Sequence, residues 1–280
     1  MFWIGPDGAI GSTWWDSAPG CSWGDHQPFP ITPPGAARAD SPIVALARTP
    51  THMDVFWVGP DGAIGSTWWD SAPGCSWGDH QPFPITPPGA AGAGSGLTAV
   101  SRSADQLDVF WVGPDGGVGS TWWNAAPGSS WGDHQPFGIA PPGAARLGAG
   151  MASVARTAQH LDVFWVTPDG SVGSTWWDAA PGCNWGDHQP FGVAPAGAVG
   201  DLENLAAVAR SAEHLDVFWV GPDRAIGTTW WDAAPRSGWI NHQPFAVTPA
   251  AASGPPSLLE GPGGIHANLG VGASRLLPGG

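Results

Sequence analysis

The 280-residue chain has no tyrosine and no lysine, and only three cysteines and three glutamates. Without lysine its basic residues are nine arginines, set against 23 acidic residues for a formal charge of −14. A surface of that sign does not displace counterions from phosphates and is not drawn to an anionic leaflet. Nucleic acid and membrane insertion are therefore excluded as partners. Three thiols cannot all pair, which argues against a disulfide framework. No apolar run approaches the about 20 residues that cross a bilayer as a helix. The opening Met1-Phe2-Trp3-Ile4-Gly5-Pro6 lacks the basic and long apolar regions of a signal peptide. The compartment stays open between the cytoplasm and a non-classical route outward.

Long helices are missing as well. Glycine and proline number 43 and 31, and they disfavour helix interiors by about 1 and 3 kcal/mol relative to alanine. The chain is nevertheless 42% hydrophobic, with 20 Trp and 10 Phe, too much apolar bulk for a disordered segment. A β-rich protein with many turns remains.

The tryptophans set the organisation. Trp3, Trp57, Trp111, Trp165 and Trp219 recur every 54 residues, and so do the pair and the later Trp that follow each of them. All 20 are used, four per copy. Within one copy, 43–48 reads as a buried strand, 53–58 as a β-branched and aromatic strand, and 63–69 as a third. Pro60-Asp61-Gly62 between the second and third is a turn, with Pro presetting φ and Gly accepting positive φ. A fourth strand is expected over about 80–85. Four short strands in a repeat of this length predict a propeller blade. The expected fold is thus all-β, a five-bladed β-propeller of four-stranded antiparallel blades. It forms one domain over 1–280, with repeats at about 1–41, 42–95, 96–149, 150–203 and 204–250. The first unit lacks its first strand. The tail 251–280, through 270–275, is expected to supply that strand and close the ring.

Each buried Trp removes 150–250 Å² from water, so at about 25 cal/mol per Å² it contributes roughly 4–6 kcal/mol gross. The Trp set could serve folding alone. The segment Trp77-Gly78-Asp79-His80-Gln81 invites a second reading, because an indole, a carboxylate, an imidazole and an amide suit a sugar's C–H face and hydroxyls. Asp79 and His80 could equally brace the backbone.

The recurring Leu-Asp-Val-Phe-Trp-Val-Gly-Pro-Asp-Gly, as at 107–116, with Trp122-Trp123 and Trp131 after it, resembles the PLL-type bacterial β-propeller lectins over about residues 1–250. The resemblance implies a multivalent sugar-binding protein for fucose-like or O-methylated sugars, held in aromatic-lined pockets between blades, with glycans or glycoconjugates as partners. The chain departs from those lectins in having five units where they have seven blades. The expected carbohydrate-binding residues are Trp15, Trp23, Asp25 and His26, then Trp69, Trp77, Asp79 and His80. Trp123, Trp131, Asp133 and His134 follow, and then Trp177, Trp185, Asp187 and His188. In the fifth copy Ile240 and Asn241 intervene and Arg224 and Arg236 replace glycines, so its pocket is expected to be weak or absent.

An enzyme is not expected. An active site needs carboxylates in unlike environments, whereas the Asp here are symmetric copies and Glu203, Glu213 and Glu260 fall outside the repeat register. No cofactor or metal is expected either. The nine His show no H-x-x-x-H spacing, and Cys21, Cys75 and Cys183 share a slot with Ser129 and Ser237, which reads as a small packed position. The alternative to a lectin is a structural or protein-interaction propeller without sugar binding. The exact sugar and the oligomeric state stay open.

Overall fold

A strand with bulky residues on both faces needs cover from two sides, and the fold provides it by facing sheets against sheets. The computed structural model describes residues 1–250 apart from 16–19, 21, 23, 25, 73–74, 181–182, 201–203, 235–237 and 240–241. The closing tail, with its expected strand 270–275, lies outside the described residues. The rest folds into five antiparallel sheets. The first blade has three strands, β1 (Phe2–Ile4), β2 (Ile10–Ser12) and β3 (Phe29–Pro30). The second has β4 (Ile43–Thr49), β5 (His52–Val58), β6 (Ile64–Asp70) and β7 (Phe83–Pro84). The third has β8 (Leu97–Ser103), β9 (Gln106–Val112), β10 (Val118–Asn124) and β11 (Phe137–Ala140). The fourth has β12 (Met151–Thr157), β13 (His160–Val166), β14 (Val172–Asp178) and β15 (Phe191–Ala194). The fifth has β16 (Leu205–Ser211), β17 (His214–Val220), β18 (Ile226–Asp232) and β19 (Phe245–Ala246). Among the described residues no helix is long and apolar enough to cross a membrane.

Each blade is a meander, and β4, β8, β12 and β16 pack one against the next. The apolar core therefore sits in the seams. Phe56, Val58 and Ile64 of the second blade share one cluster with Leu97, Leu107, Val109 and Trp111 of the third. In the middle blades β9 and β13 are buried on both faces after their first residue, whereas β17 alternates between buried and half-buried.

The fourth strands are shorter than expected in the first, second and fifth blades. Thr32, Thr86 and Thr248 explain this. Their hydroxyls accept the N–H of Ile10, Ile64 and Ile226 at 2.8 Å, so a side chain takes the place of the backbone pairing. Ala140 and Ala194 occupy the same slot in the third and fourth blades, have no hydroxyl, and pair directly with Val118 and Val172. The Pro-Asp-Gly turns form as expected, with Gly62, Gly116 and Gly170 at positive φ. Arg224 holds the same left-handed conformation at φ 65 in the fifth blade, a strained position for a side chain with a Cβ.

The first Trp of the second and fourth units locks a seam. Trp165, 1% exposed, donates its indole N–H to the Ala144 carbonyl at 3.0 Å, and Trp57 does the same to Ala36 at 2.9 Å. Opposite the indole only glycine fits. A Cβ on Gly173 would lie 2.6 Å from Nε1 and 2.8 Å from Cε2 of Trp165. Gly173→Ala is expected to cost about 1–3 kcal/mol, the range for overpacking a filled core. An unchanged urea midpoint would mean that the indole yields without strain.

Candidate functional site

The seams between blades also carry the chain's buried charge. Arg102 on β8 and Asp108 on β9 are both 7% exposed and meet at 2.6 Å through Nε and Oδ2, with a second contact from Nη2 to Oδ1 at 3.3 Å. The guanidinium carbon lies 4.5 Å from the ring centre of Trp177 in the next blade, an arrangement favoured by the negative face of the indole. Arg48–Asp54 faces Trp123 at 4.7 Å and Arg156–Asp162 faces Trp231 at 4.4 Å in the same way. The loop Trp completes each seam edge-on. Phe56 meets Trp131, Phe110 meets Trp185 and Phe164 meets Trp239, all at 5.7–5.9 Å.

Between the third and fourth blades these groups line a cleft of about 450 Å³, walled by Trp122, Trp177 and Trp185 and floored by Arg102, Asp108 and Gln106. Arg48 and Arg156 also donate Nη1 to Ala104 and Ala212 of the following blade at 3.3 and 3.4 Å. Arg102 makes no such bond among the described residues, so its outer N–H groups remain available to an acceptor in the cleft. Burial pushes the Asp108 carboxyl up to about 6 against the pull of Arg102, and it raises Asp54 and Asp162 likewise.

The expected site residues are thereby divided. Trp123, Trp131, Trp177 and Trp185 come together at seams, each with a cation from the preceding blade. Trp77 meets Phe2 at 5.8 Å, but the three-stranded first blade offers no arginine opposite Trp69. Trp15 is 51% exposed on the first blade, and Trp23 and Asp25 lie outside the described residues. Asp79, Asp133 and Asp187 cap the 3-10 turns Trp77–Asp79, Trp131–Asp133 and Trp185–Asp187, accepting from the backbone N–H of Ser76, Ser130 and Asn184 at 2.6–2.7 Å. Those contacts hold the Asp79 carboxyl below the usual range. His26, His80, His134 and His188 stack on the first Trp of each pair, Trp14, Trp68, Trp122 and Trp176, at 3.3–3.4 Å. The Asp and His thus do not line the cleft that the Trp pair faces.

In the fifth copy Trp231 and Trp239 keep the full seam arrangement against Arg156 and Phe164, although Arg236, Ile240 and Asn241 lie outside the described residues. The sequence alone reads the Asp54 slot as structural and does not single out the arginines that pair with it, Arg48, Arg102 and Arg156. A signal for them exists, because Arg48, Arg102 and Arg156 are themselves 54 residues apart.

No protein-family model matches the chain, and neither does any curated protein. Solved structures do. The BP39L lectin from Burkholderia pseudomallei superposes with a TM-score of 0.71 at 28% identity, over 89% of this chain and 66% of that one. The lectin from Aleuria aurantia, described as a six-bladed β-propeller with a novel fucose recognition mode, has a TM-score of 0.56 at 14% identity, covering 91% and 74%. The SapL1 lectin, solved with α-methyl fucoside, has a TM-score of 0.53 at 16% identity, covering 89% and 78%. The chain spans about two thirds of the length of the Burkholderia protein. These neighbours agree with the reading against an enzyme. In fold, and for the Burkholderia protein in sequence too, this chain is similar to the β-propeller lectins, as the resemblance carried by its repeats implied.

Proposed function

We propose that the chain is a carbohydrate-binding lectin whose seats are the seams between blades, taking fucose-like or O-methylated sugars. The observation that carries this is the cleft of Arg102, Asp108, Trp177 and Trp185. An indole wall packs on the C–H face of a pyranose, while the outer N–H groups of Arg102 and the amide of Gln106 meet its hydroxyls. The volume lies in the range of small-ligand clefts. The lectin descriptions of the structural neighbours, two of which mention fucose or a fucoside, support the same class.

One seat of this kind holds a monosaccharide with a dissociation constant in the millimolar range, about −4 kcal/mol. Three seams share the arginine–indole pairing, and if each seats a sugar, avidity on a glycan-coated surface rises by about 10²–10⁴. Methyl α-L-fucoside, observed by saturation-transfer NMR, is expected to bind the wild-type chain and to lose its signal in the triple variant Trp123→Ala, Trp177→Ala, Trp231→Ala. A glycan array bare of every sugar would favour the other reading, a scaffold or protein-interaction propeller.

A further inference from the structure

Away from the seams, the loop after the third strand gathers a different set of groups. Asp70, Cys75 and His80 offer an oxygen, a sulfur and a nitrogen within 4.8 Å of one another, and Asp178, Cys183 and His188 do the same. All six residues are half-buried. The spacing is Asp-x4-Cys-x4-His, which matches no compact metal signature in sequence. The ligands meet because the loop folds back on the end of its strand, anchored by Thr67 Oγ1 donating to the His80 carbonyl at 2.7 Å and by Thr175 donating to that of His188 at 2.6 Å.

The imidazoles are fixed in orientation by their stacking. Stacked on Trp68 and Trp176, they place Nε2 of His80 and of His188 in the interior with no hydrogen-bond partner. The facing carboxylate oxygens stand 3.6 and 3.7 Å away, too far for a hydrogen bond. Two ligands at about 2.0–2.1 Å on a tetrahedral ion lie roughly 3.3 Å apart, within a few tenths of an ångström of that gap. The other carboxylate oxygen is already fixed, since Asp70 and Asp178 accept the N–H of Ala72 and Ala180 at 2.7 Å through Oδ1.

The copies without cysteine serve as internal controls. In the fifth, where Ser237 takes the slot, His242 Nε2 reaches Asp232 Oδ2 at 3.0 Å. In the third, Asn124 and Ser129 replace both anionic ligands, and His134 lies 3.4 Å from the Asn124 amide. The Asp–His separation is thus 3.6–3.7 Å in the two described copies that carry Cys, and 3.0 Å in the fifth copy, whose sequence has Ser in that slot. The first copy has Asp16, Cys21 and His26 at the same spacing, with the Asp and Cys outside the described residues.

We propose that each Asp-x4-Cys-x4-His loop binds one divalent ion of borderline softness, Zn²⁺ by its donor set, through Asp Oδ2, Cys Sγ and His Nε2. The Cys75 sulfur, the Asp70 carboxylate and the His80 ring nitrogen all lie within 4.8 Å of one another. Binding replaces S–H by S–metal, the proton leaves to solvent, and the imidazole ligates in its neutral form. Three protein ligands leave a fourth position for water. The ion ties the loop that carries Trp77, or Trp185, to the end of β6 or β14, and so stiffens a wall of the seam. This assignment does not rest on sugar binding and stands against the expectation that the cysteine slot is only a packed position.

The test is a titration of the reduced, untagged, metal-free chain with Co²⁺, followed by Zn²⁺. At least two equivalents of Co²⁺ are expected to produce a thiolate-to-metal charge-transfer band that Zn²⁺ abolishes. The double variant Cys75→Ser, Cys183→Ser, which installs the residue already present at Ser129, should bind two equivalents fewer. Asn124→Asp with Ser129→Cys should add one. An absent thiolate band, or a stoichiometry that the double variant leaves unchanged, overturns the assignment.

Discussion

Arg102→Ala is expected to lower the unfolding free energy by about 3–5 kcal/mol at pH 8, the range for stranding one member of a buried ion pair. Asp108 is 7% exposed and its charge is answered by Arg102 at 2.6 Å, so the variant must either bury an unanswered carboxylate or protonate it. The loss should shrink at pH 5. Burial already raises this carboxyl from 3.8 to about 6, so at pH 5 Arg102 faces a largely neutral acid. The sign follows from proton counting. Between 3.8 and about 6 the folded chain keeps a proton that the unfolded chain has released. The stability this group contributes is therefore full at low pH and is lost as pH rises through about 6. Urea unfolding at the two pH values checks it, and equal losses would assign the cost to packing. Arg102→Met combined with Asp108→Leu should recover most of the deficit, since an apolar pair of similar volume has no charge to desolvate.

A loss of similar size is expected from Trp165→Ala. The side chain is 1% exposed, shares a core cluster with Phe110 and Val163, and donates to the Ala144 carbonyl. Truncation leaves a cavity and an unanswered acceptor, at about 3–5 kcal/mol for a buried aromatic. Trp219→Ala should cost less, because its strand β17 is buried less completely. Calorimetry of the two variants gives the order, and a Trp219 variant that suffers as much as the Trp165 variant would refute it.

The blades were legible in the sequence because their cause is local and repeated. The 54-residue cadence, the Pro-Asp-Gly turns and the β-branched second strand each act within one unit, and β5 and β6 fall within a residue of their expected bounds. The short fourth strands were not legible. They depend on whether one slot holds Thr or Ala, a choice that reads as neutral until its hydroxyl is seen taking a ladder N–H. The candidate site was half legible. Trp177 and Trp185 could be named as aromatic walls, but Arg102 belongs to the previous blade, and no pattern within a repeat says which neighbour it will face. Asp79 was named for its proximity in sequence to Trp77, which in three dimensions makes it a cap. The Asp-x4-Cys-x4-His set was missed for the converse reason, since only the fold-back of the loop makes its members neighbours.

The pairing of a guanidinium from one blade with indoles from the next also explains why Arg210 and Trp15 stand apart from their equivalents. Arg210 still holds Asp216, but its side chain is 56% exposed, and Trp15 is 51% exposed. Each is one half of the couple that elsewhere spans a boundary. Such couples are counted by boundaries and not by modules. Duplicating one module inside the array would add one complete arginine–indole couple without any new contact having to evolve, and deleting one would remove a couple without spoiling the others.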